Sequence, residues 1–248
     1  MGKTMVDITT EDGVADTYLV IPDGDGPHPG VMIFQDAFGL RPRLKEMADR
    51  IAESGYAVLV PNLLYRGGRA PQIDLAGLSD PEQRGNIFGK IMPLIQGLDT
   101  EAITKDTKAY LDFFAAQEGV DPGPVVVFGY CMGGTNALRA IEAFPDRIKA
   151  IGSFHGGRLA TDQPDSPHLA AQKTKAELYF GCAETDVYAP TEVIEKVKAG
   201  MTGSNNEVEI YPGTHHGFAF PKRPVYHRDA AERHWERLLA LYRRNLST

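Results

Sequence analysis

An apolar run, Val125-Val126-Val127-Phe128, leads without a polar break into Gly129-Tyr130-Cys131-Met132-Gly133-Gly134, and a helix-forming stretch follows from Thr135. Four β-branched or aromatic residues in succession read as a strand covered on both faces, the habit of a parallel sheet. A residue at the tip of a tight strand-to-helix turn adopts a strained backbone, and its neighbours at −2, +2 and +3 must be small. Glycine holds all three places around Cys131. A chain built around this turn needs helices packed over a mainly parallel sheet, which excludes purely helical and purely antiparallel folds.

The rest of the chain agrees. Lys3 to Thr9 and Ala15 to Ile21 are short amphipathic runs suited to an antiparallel edge. Val31-Met32-Ile33-Phe34 and Ala57-Val58-Leu59-Val60-Pro61 read as buried strands, and between them Leu44, Met47, Ala48 and Ile51 make one helical stripe stopped by Gly55. Ile103, Thr107, Tyr110 and Phe114 mark a long helix ending before Gly119. Strands are expected at Ala150 to Phe154, Ala176 to Gly181 and Val208 to Tyr211, with helices around Val193–Val197 and Ala231–Tyr242. From Asn62 to about Leu98 the periodicity loosens, although Asp80-Pro81 looks like a helix start; so long an irregular stretch reads as a lid-like segment. With 248 residues and no linker, a single α/β domain spanning 1–248 is expected.

Composition narrows the partners. The chain carries 33 acidic and 26 basic residues with no basic stripe, so nucleic acid is not expected. Two cysteines do not make a disulfide scaffold, the start lacks the apolar run of a signal peptide, and no apolar stretch is long enough to span a bilayer. A cytoplasmic protein acting on a small molecule is the expectation, with no membrane contact; the oligomeric state cannot be read from the sequence. Neither dinucleotide nor phosphate-loop spacing occurs and the seven histidines are scattered, so no cofactor and no metal is expected.

The turn around Cys131 would expose a thiol beside a helix N-terminus, where the helix dipole favours thiolate and the backbone N–H of Met132 can bind an oxyanion. Taken alone, the motif is equally satisfied by a glycine-rich turn around a structural cysteine. Order adds to it: Asp186 and then His216 follow, each just past an expected strand, in the sequence nucleophile, acid, histidine of α/β-hydrolase triads. Loops after parallel strands gather at one sheet edge, so these three can meet. Glu184 is the alternative acid and His215 the alternative base; Asp186 and His216 are preferred by their places in their loops. The loop Gln35-Asp36-Ala37-Phe38-Gly39 follows the first buried strand, where such folds donate a second oxyanion N–H, and Ala37 is the candidate donor. Asp36 would then either point toward the thiol, which requires a cationic partner or a shared proton, or serve as an ordinary turn aspartate. His155, in Phe154-His155-Gly156-Gly157, is equally a pocket residue or a packed loop histidine, and Phe38, Tyr130 and Phe220 are further pocket candidates. Tyr65 is as easily a packing residue, His168 reads as structural, and Cys182 as a small buried side chain.

These motifs together resemble the dienelactone hydrolases, cysteine members of the α/β-hydrolase fold. The resemblance rests on the Gln35–Gly39 loop, the Gly-Tyr-Cys-Met-Gly-Gly elbow, the Asp186 loop and His216-Gly217-Phe218. It implies a Cys131–His216–Asp186 triad and a mainly parallel twisted sheet of seven or eight strands with helices on both faces. Two departures stand out. The family has glutamate where this chain has Asp36, and its carboxylate-binding arginine shortly after the histidine is replaced here by Phe220, with Arg223 the nearest basic residue downstream and Arg66 and Arg69 in the lid-like segment. The reading is therefore a hydrolase of a small carboxylic ester or lactone, more apolar than a dienelactone. Thiolates attack activated, enol-type esters well and unactivated amides poorly. Two alternatives accompany it. An amidotransferase-like domain also carries cysteine on an elbow, but Phe218 stands where such enzymes have glutamate two residues after the histidine. A non-catalytic module using Cys131 as an oxidisable thiol is the other.

Overall fold

β1 (Gly2–Thr10) and β2 (Gly13–Ile21) pair antiparallel across a two-residue turn, with Thr10 opposite Gly13. The computed structural model describes residues 1–201 and 206–246 and divides into two compact units, Met1–Pro122 and Gly123–Thr248. In the first unit the strand order is β1-β2-β4-β3, where β3 is Gly30–Phe34 and β4 is Ala57–Pro61. β2 meets β4 antiparallel and β3 meets β4 parallel. Parallel neighbours require a crossover, and helix α1 (Pro42–Ala52) supplies it, burying the expected stripe of Leu44, Met47, Ala48 and Ile51. All five residues of β3 and of β4 are buried, which explains why these strands read as unbroken apolar runs.

The lid-like segment is more regular than its sequence suggests. Two short 3-10 turns, Tyr65–Gly67 and Leu75–Ser79, precede helix α2 (Pro81–Gln96), capped by Asp80, whose carboxylate accepts from the backbone N–H groups of Glu82 and Gln83. Ile91 is buried on this helix while most of its residues are not, so there was little apolar stripe to betray it. Helix α3 (Thr100–Ala115) follows and buries Ile103, Thr107, Tyr110 and Phe114 as expected. Arg66 and Arg69 are engaged within this unit: Arg66 pairs with Asp12 at 2.6 Å and Asp106 at 2.7 Å, and Arg69 with Asp7 at 2.8 Å.

The second unit holds β5 (Val125–Tyr130), β6 (Ile148–Phe154), β7 (Glu177–Thr185) and β8 (Glu207–His215) in that spatial order, every neighbouring pair parallel. Helix α4 (Met132–Ala143) packs on β5 and β6, and the closing helix α7 (Arg228–Asn245) packs on β6, β7 and β8. A short helix α5 (Ala170–Lys173) and helix α6 (Thr191–Gly200) complete the connections. The expected mainly parallel arrangement of seven or eight strands is observed, with eight strands among the described residues.

β7 and β8 extend about four residues beyond their apolar runs. Their ladder continues through Ala183 opposite Tyr211 to Thr185 opposite His215, with an irregularity between. Pairing with a neighbour sustains a strand past the point where hydrophobic alternation stops. This extension matters because it carries the chain to the functional loops.

Candidate active site

Register assembles the site. Tyr130 is opposite Phe154, and Thr185 is opposite His215, so the next residues along these strands, Cys131, His155, Asp186 and His216, all leave from carboxyl ends of parallel strands. Cys131 sits as the N-cap of α4 with φ 54° and ψ −119°, a conformation that L residues rarely adopt and that needs support from its surroundings. The support is visible: Cys131 N–H donates to the Phe154 carbonyl at 3.2 Å, and the Cys131 carbonyl accepts from Gly134 and Gly157, each at 3.2 Å. A Cβ built on Gly129 would lie 2.3 Å from the Gly133 carbonyl carbon, so only glycine permits the elbow to close.

His216 Nδ1 donates to Asp186 Oδ2 at 2.7 Å, and the ring is near enough to Cys131 for the sulfur to favour its charged form. Asp186 is buried, and its other oxygen accepts from the Tyr188 backbone N–H at 2.9 Å. Burial works against charging His216, but the hydrogen bond to Asp186 and the nearby Cys131 outweigh it and hold its pKa up at about 9. The two alternatives are engaged elsewhere. Glu184 accepts from the Gly213 N–H at 2.9 Å, and His215 is an exposed residue at the end of β8. The choice between histidines thus follows from the pleat: successive side chains point to opposite faces, and only one of the pair can face Asp186.

His155 is 1 % exposed and stands edge-on to His216, ring centroids 4.9 Å apart at 67°. Burial, followed by the field of His216, drives its pKa far below the usual histidine value, so it is neutral. It is a packed histidine behind the site, set among Tyr130, Phe218 and Phe220. Tyr130 and Phe220 do not line a pocket as expected. Tyr130 is sealed in the core, where its hydroxyl donates to His234 Nε2 at 2.6 Å while Nδ1–H of that ring donates to the Ala231 carbonyl; Phe220 packs on Tyr130 with centroids 4.9 Å apart. Because side chains alternate along β5, the residue before Cys131 points into the interior, where its hydroxyl needs a partner. Cys182 is likewise buried, its thiol pushed up to about 12 by burial, and His168 is tied to Ser166 at 2.7 Å. Arg223 comes against the His216 loop, its Nη1 3.4 Å from where a Cβ on Gly217 would be.

In the first unit, both oxygens of Asp36 are taken by one cation. Arg41 Nη1 donates to Oδ1 at 2.6 Å and Nη2 to Oδ2 at 2.8 Å, and the Phe38 N–H also donates to Oδ1 at 3.1 Å. Arg41 reaches the Gly39 carbonyl at 3.0 Å, so the fork clamps the loop that carries Ala37. The Phe38 ring meets Phe88 of α2 at 6.4 Å, linking this loop to the lid-like helix. Both charges are buried, so removing one strands the other. Arg41→Ala is expected to lower unfolding stability by about 3 kcal/mol, read as a shift in urea midpoint at constant slope.

A cavity of about 630 Å³ in the second unit lies at the opposite ends of the strands, lined by Ile148, Lys149, Ala176, Glu177 and Arg244. β6 starts at Ile148 and β7 at Glu177, so this hollow is away from the elbow and is not the site of its chemistry. Among the described residues no cluster of three or more His, Cys, Asp or Glu is arranged to hold a metal, and no helix is long and apolar enough to cross a membrane.

A strand–elbow–helix with a strained nucleophile position, followed in chain order by an acid and a histidine, is the arrangement of the α/β hydrolases. The model of the dienelactone hydrolase family matches residues 15–246, and the chain belongs to that family. Relatives include "Putative carboxymethylenebutenolidase" of Escherichia coli K12, 28% identical over 227 residues, which cover 88% of this chain and 78% of that protein. A Synechocystis protein of the same name is 26% identical over 249 residues, 98% of this chain and 97% of its own. Among solved structures, a Klebsiella pneumoniae chain assigned to the dienelactone hydrolases superposes with TM-score 0.83 at 22% identity, covering 97% of this chain and 98% of that one. A dienelactone hydrolase from Anabaena variabilis gives 0.69 at 18% identity, with 99% of each chain covered. These likenesses show the α/β-hydrolase fold, and family membership makes the chain a hydrolase acting on an ester or lactone.

Proposed function

We propose that the protein hydrolyses a small carboxylic ester or lactone through a Cys131–His216–Asp186 triad and a thioester acyl-enzyme. The observation that carries this reading is the 2.7 Å bond from His216 to buried Asp186, on a ring whose charge Cys131 also favours. Asp186 fixes the tautomer, with Nδ1–H directed at the carboxylate and Nε2 toward sulfur. With its pKa near 9, His216 is protonated at neutral pH and is the cationic partner that a thiolate nucleophile needs.

The thiolate attacks the carbonyl carbon and forms a tetrahedral oxyanion. The Met132 N–H at the start of α4 stabilises that charge. Collapse transfers the His216 proton to the departing alkoxide or enolate oxygen and leaves a thioester on Cys131. His216, now neutral, takes a proton from water; the hydroxide attacks the thioester, and the acid leaves as the thiolate is regenerated. Incubation with a panel of activated aryl and enol esters, followed by intact-mass measurement, is expected to show an acyl adduct confined to Cys131. Turnover without any adduct on Cys131, even after rapid acid quench, would overturn the mechanism.

The His216 charge also predicts a pH dependence of stability. A histidine whose folded pKa exceeds its unfolded value near 6.5 contributes stability fully below that value and loses it as pH rises through about 9. The urea midpoint of the parental protein is expected to fall toward that of His216→Asn between pH 7 and pH 10. A difference that stays constant across this range would show that His216 carries no raised pKa.

A further inference from the structure

Tyr188 is half exposed at 52 % and Val187 is 83 % exposed, yet both belong to the loop that delivers Asp186. An exposed side chain on a loose loop would mean little, but this loop is tied down. The Tyr188 N–H donates to Asp186 Oδ1 at 2.9 Å, and the Tyr188 carbonyl accepts from the Arg158 N–H at 2.9 Å. The Tyr188 ring meets His216 edge-on, centroids 4.8 Å apart at 61°. His216 therefore lies between a buried ring, His155, and a solvent-facing one, Tyr188.

Gly157 supplies a second observation. A Cβ there would come 3.3 Å from Tyr188 Cβ and 4.0 Å from His216 Cε1, while the Gly157 N–H donates to the Cys131 carbonyl. Its missing side chain keeps a notch open between the nucleophile's backbone, the imidazole and the tyrosine. The leaving group must be on the His216 side of the carbonyl, because His216 protonates it as it departs. We propose that Tyr188, with Val187 beside it and Gly157 beneath, is the wall against which the leaving group stacks, and that it selects esters whose leaving group is flat and aromatic. This rests on the hydrolase reading given above.

The test compares 1-naphthyl acetate with vinyl acetate, which form the same acyl-enzyme and differ only in the leaving group. Stacking on one aromatic ring is worth enough to change kcat/KM by about tenfold. Tyr188→Ala is expected to lower kcat/KM for the naphthyl ester about tenfold and for vinyl acetate by less than about twofold, and Tyr188→Phe is expected to keep the parental preference. Gly157→Ala should narrow the notch and shift the preference in the same direction. An equal loss on both esters in Tyr188→Ala would mean that the ring only holds His216, and no loss on either would place it outside the leaving-group site; either overturns the inference alone. Absence of turnover of both esters by the parental protein, with no adduct on Cys131, would overturn the hydrolase reading itself.

Discussion

Cys131→Ala is expected to lower kcat for an activated aryl ester by about four orders of magnitude, leaving only the slow background that oriented binding and an oxyanion site provide. The fold should survive. Cys131 is partly exposed, its side chain is short, and the strained backbone is held by the Phe154, Gly134 and Gly157 hydrogen bonds, none of which involves sulfur. An unchanged urea midpoint beside a collapsed rate would therefore assign the loss to chemistry. The variant also separates the two partners of His216. Without sulfur, the ring keeps Asp186 but loses the second group that raises its pKa, so its titration should move down from about 9. Retention of full activity would mean that another group attacks the substrate.

Gly129→Ala is the second large effect, and it acts through backbone. The added methyl would sit 2.3 Å and 2.4 Å from the Gly133 carbonyl carbon and oxygen and 2.7 Å from the Gly134 nitrogen. No side chain is available to rotate away, so the first turn of α4 must move. A loss of about 3 kcal/mol in stability is expected, together with a fall of about 100-fold or more in kcat/KM, because an ångström of displacement at a nucleophile costs that much in rate. Gly134→Ala provides the contrast. There the clash at 2.2 Å is with Ser153 Oγ, and removing the hydroxyl in Gly134→Ala/Ser153→Ala leaves a nearest contact of 3.1 Å. The double variant should recover part of the stability in urea denaturation, whereas no partner substitution should rescue Gly129→Ala.

The element order was readable because most of the elements carry a strong local pattern. The runs at β3, β4 and β5 are buried on both sides, and α1 shows an apolar stripe, so period and burial agree. α2 was harder, since a helix exposed around most of its surface has almost no stripe to display. The carboxyl ends of β7 and β8 were harder again. The expected strands end at Gly181 and Tyr211, yet pairing carries both on to Thr185 and His215. Tyr130 and Phe220 were misread for a different reason. Both are aromatic and close in sequence to the reactive groups, but side-chain direction depends on strand phase and packing, which adjacency does not report.

What the amino-acid order settles by itself is local: a strand that must reverse into a helix at Cys131, because three glycines leave room for nothing else, and an acid and a histidine each released at the end of a later strand. What only the tertiary structure decided is pairwise. Asp186 rather than Glu184 meets His216 because the β7–β8 register brings those two loop starts together while Glu184 is consumed by the Gly213 turn. Tyr188 stands against His216 for the same reason, whereas Arg41 reaches Asp36 within one loop, five residues along the chain. Sequence fixes which groups reach the carboxyl ends of the strands, but hydrogen bonds and charges are settled within a few ångströms, and those distances exist only once the strands are in register.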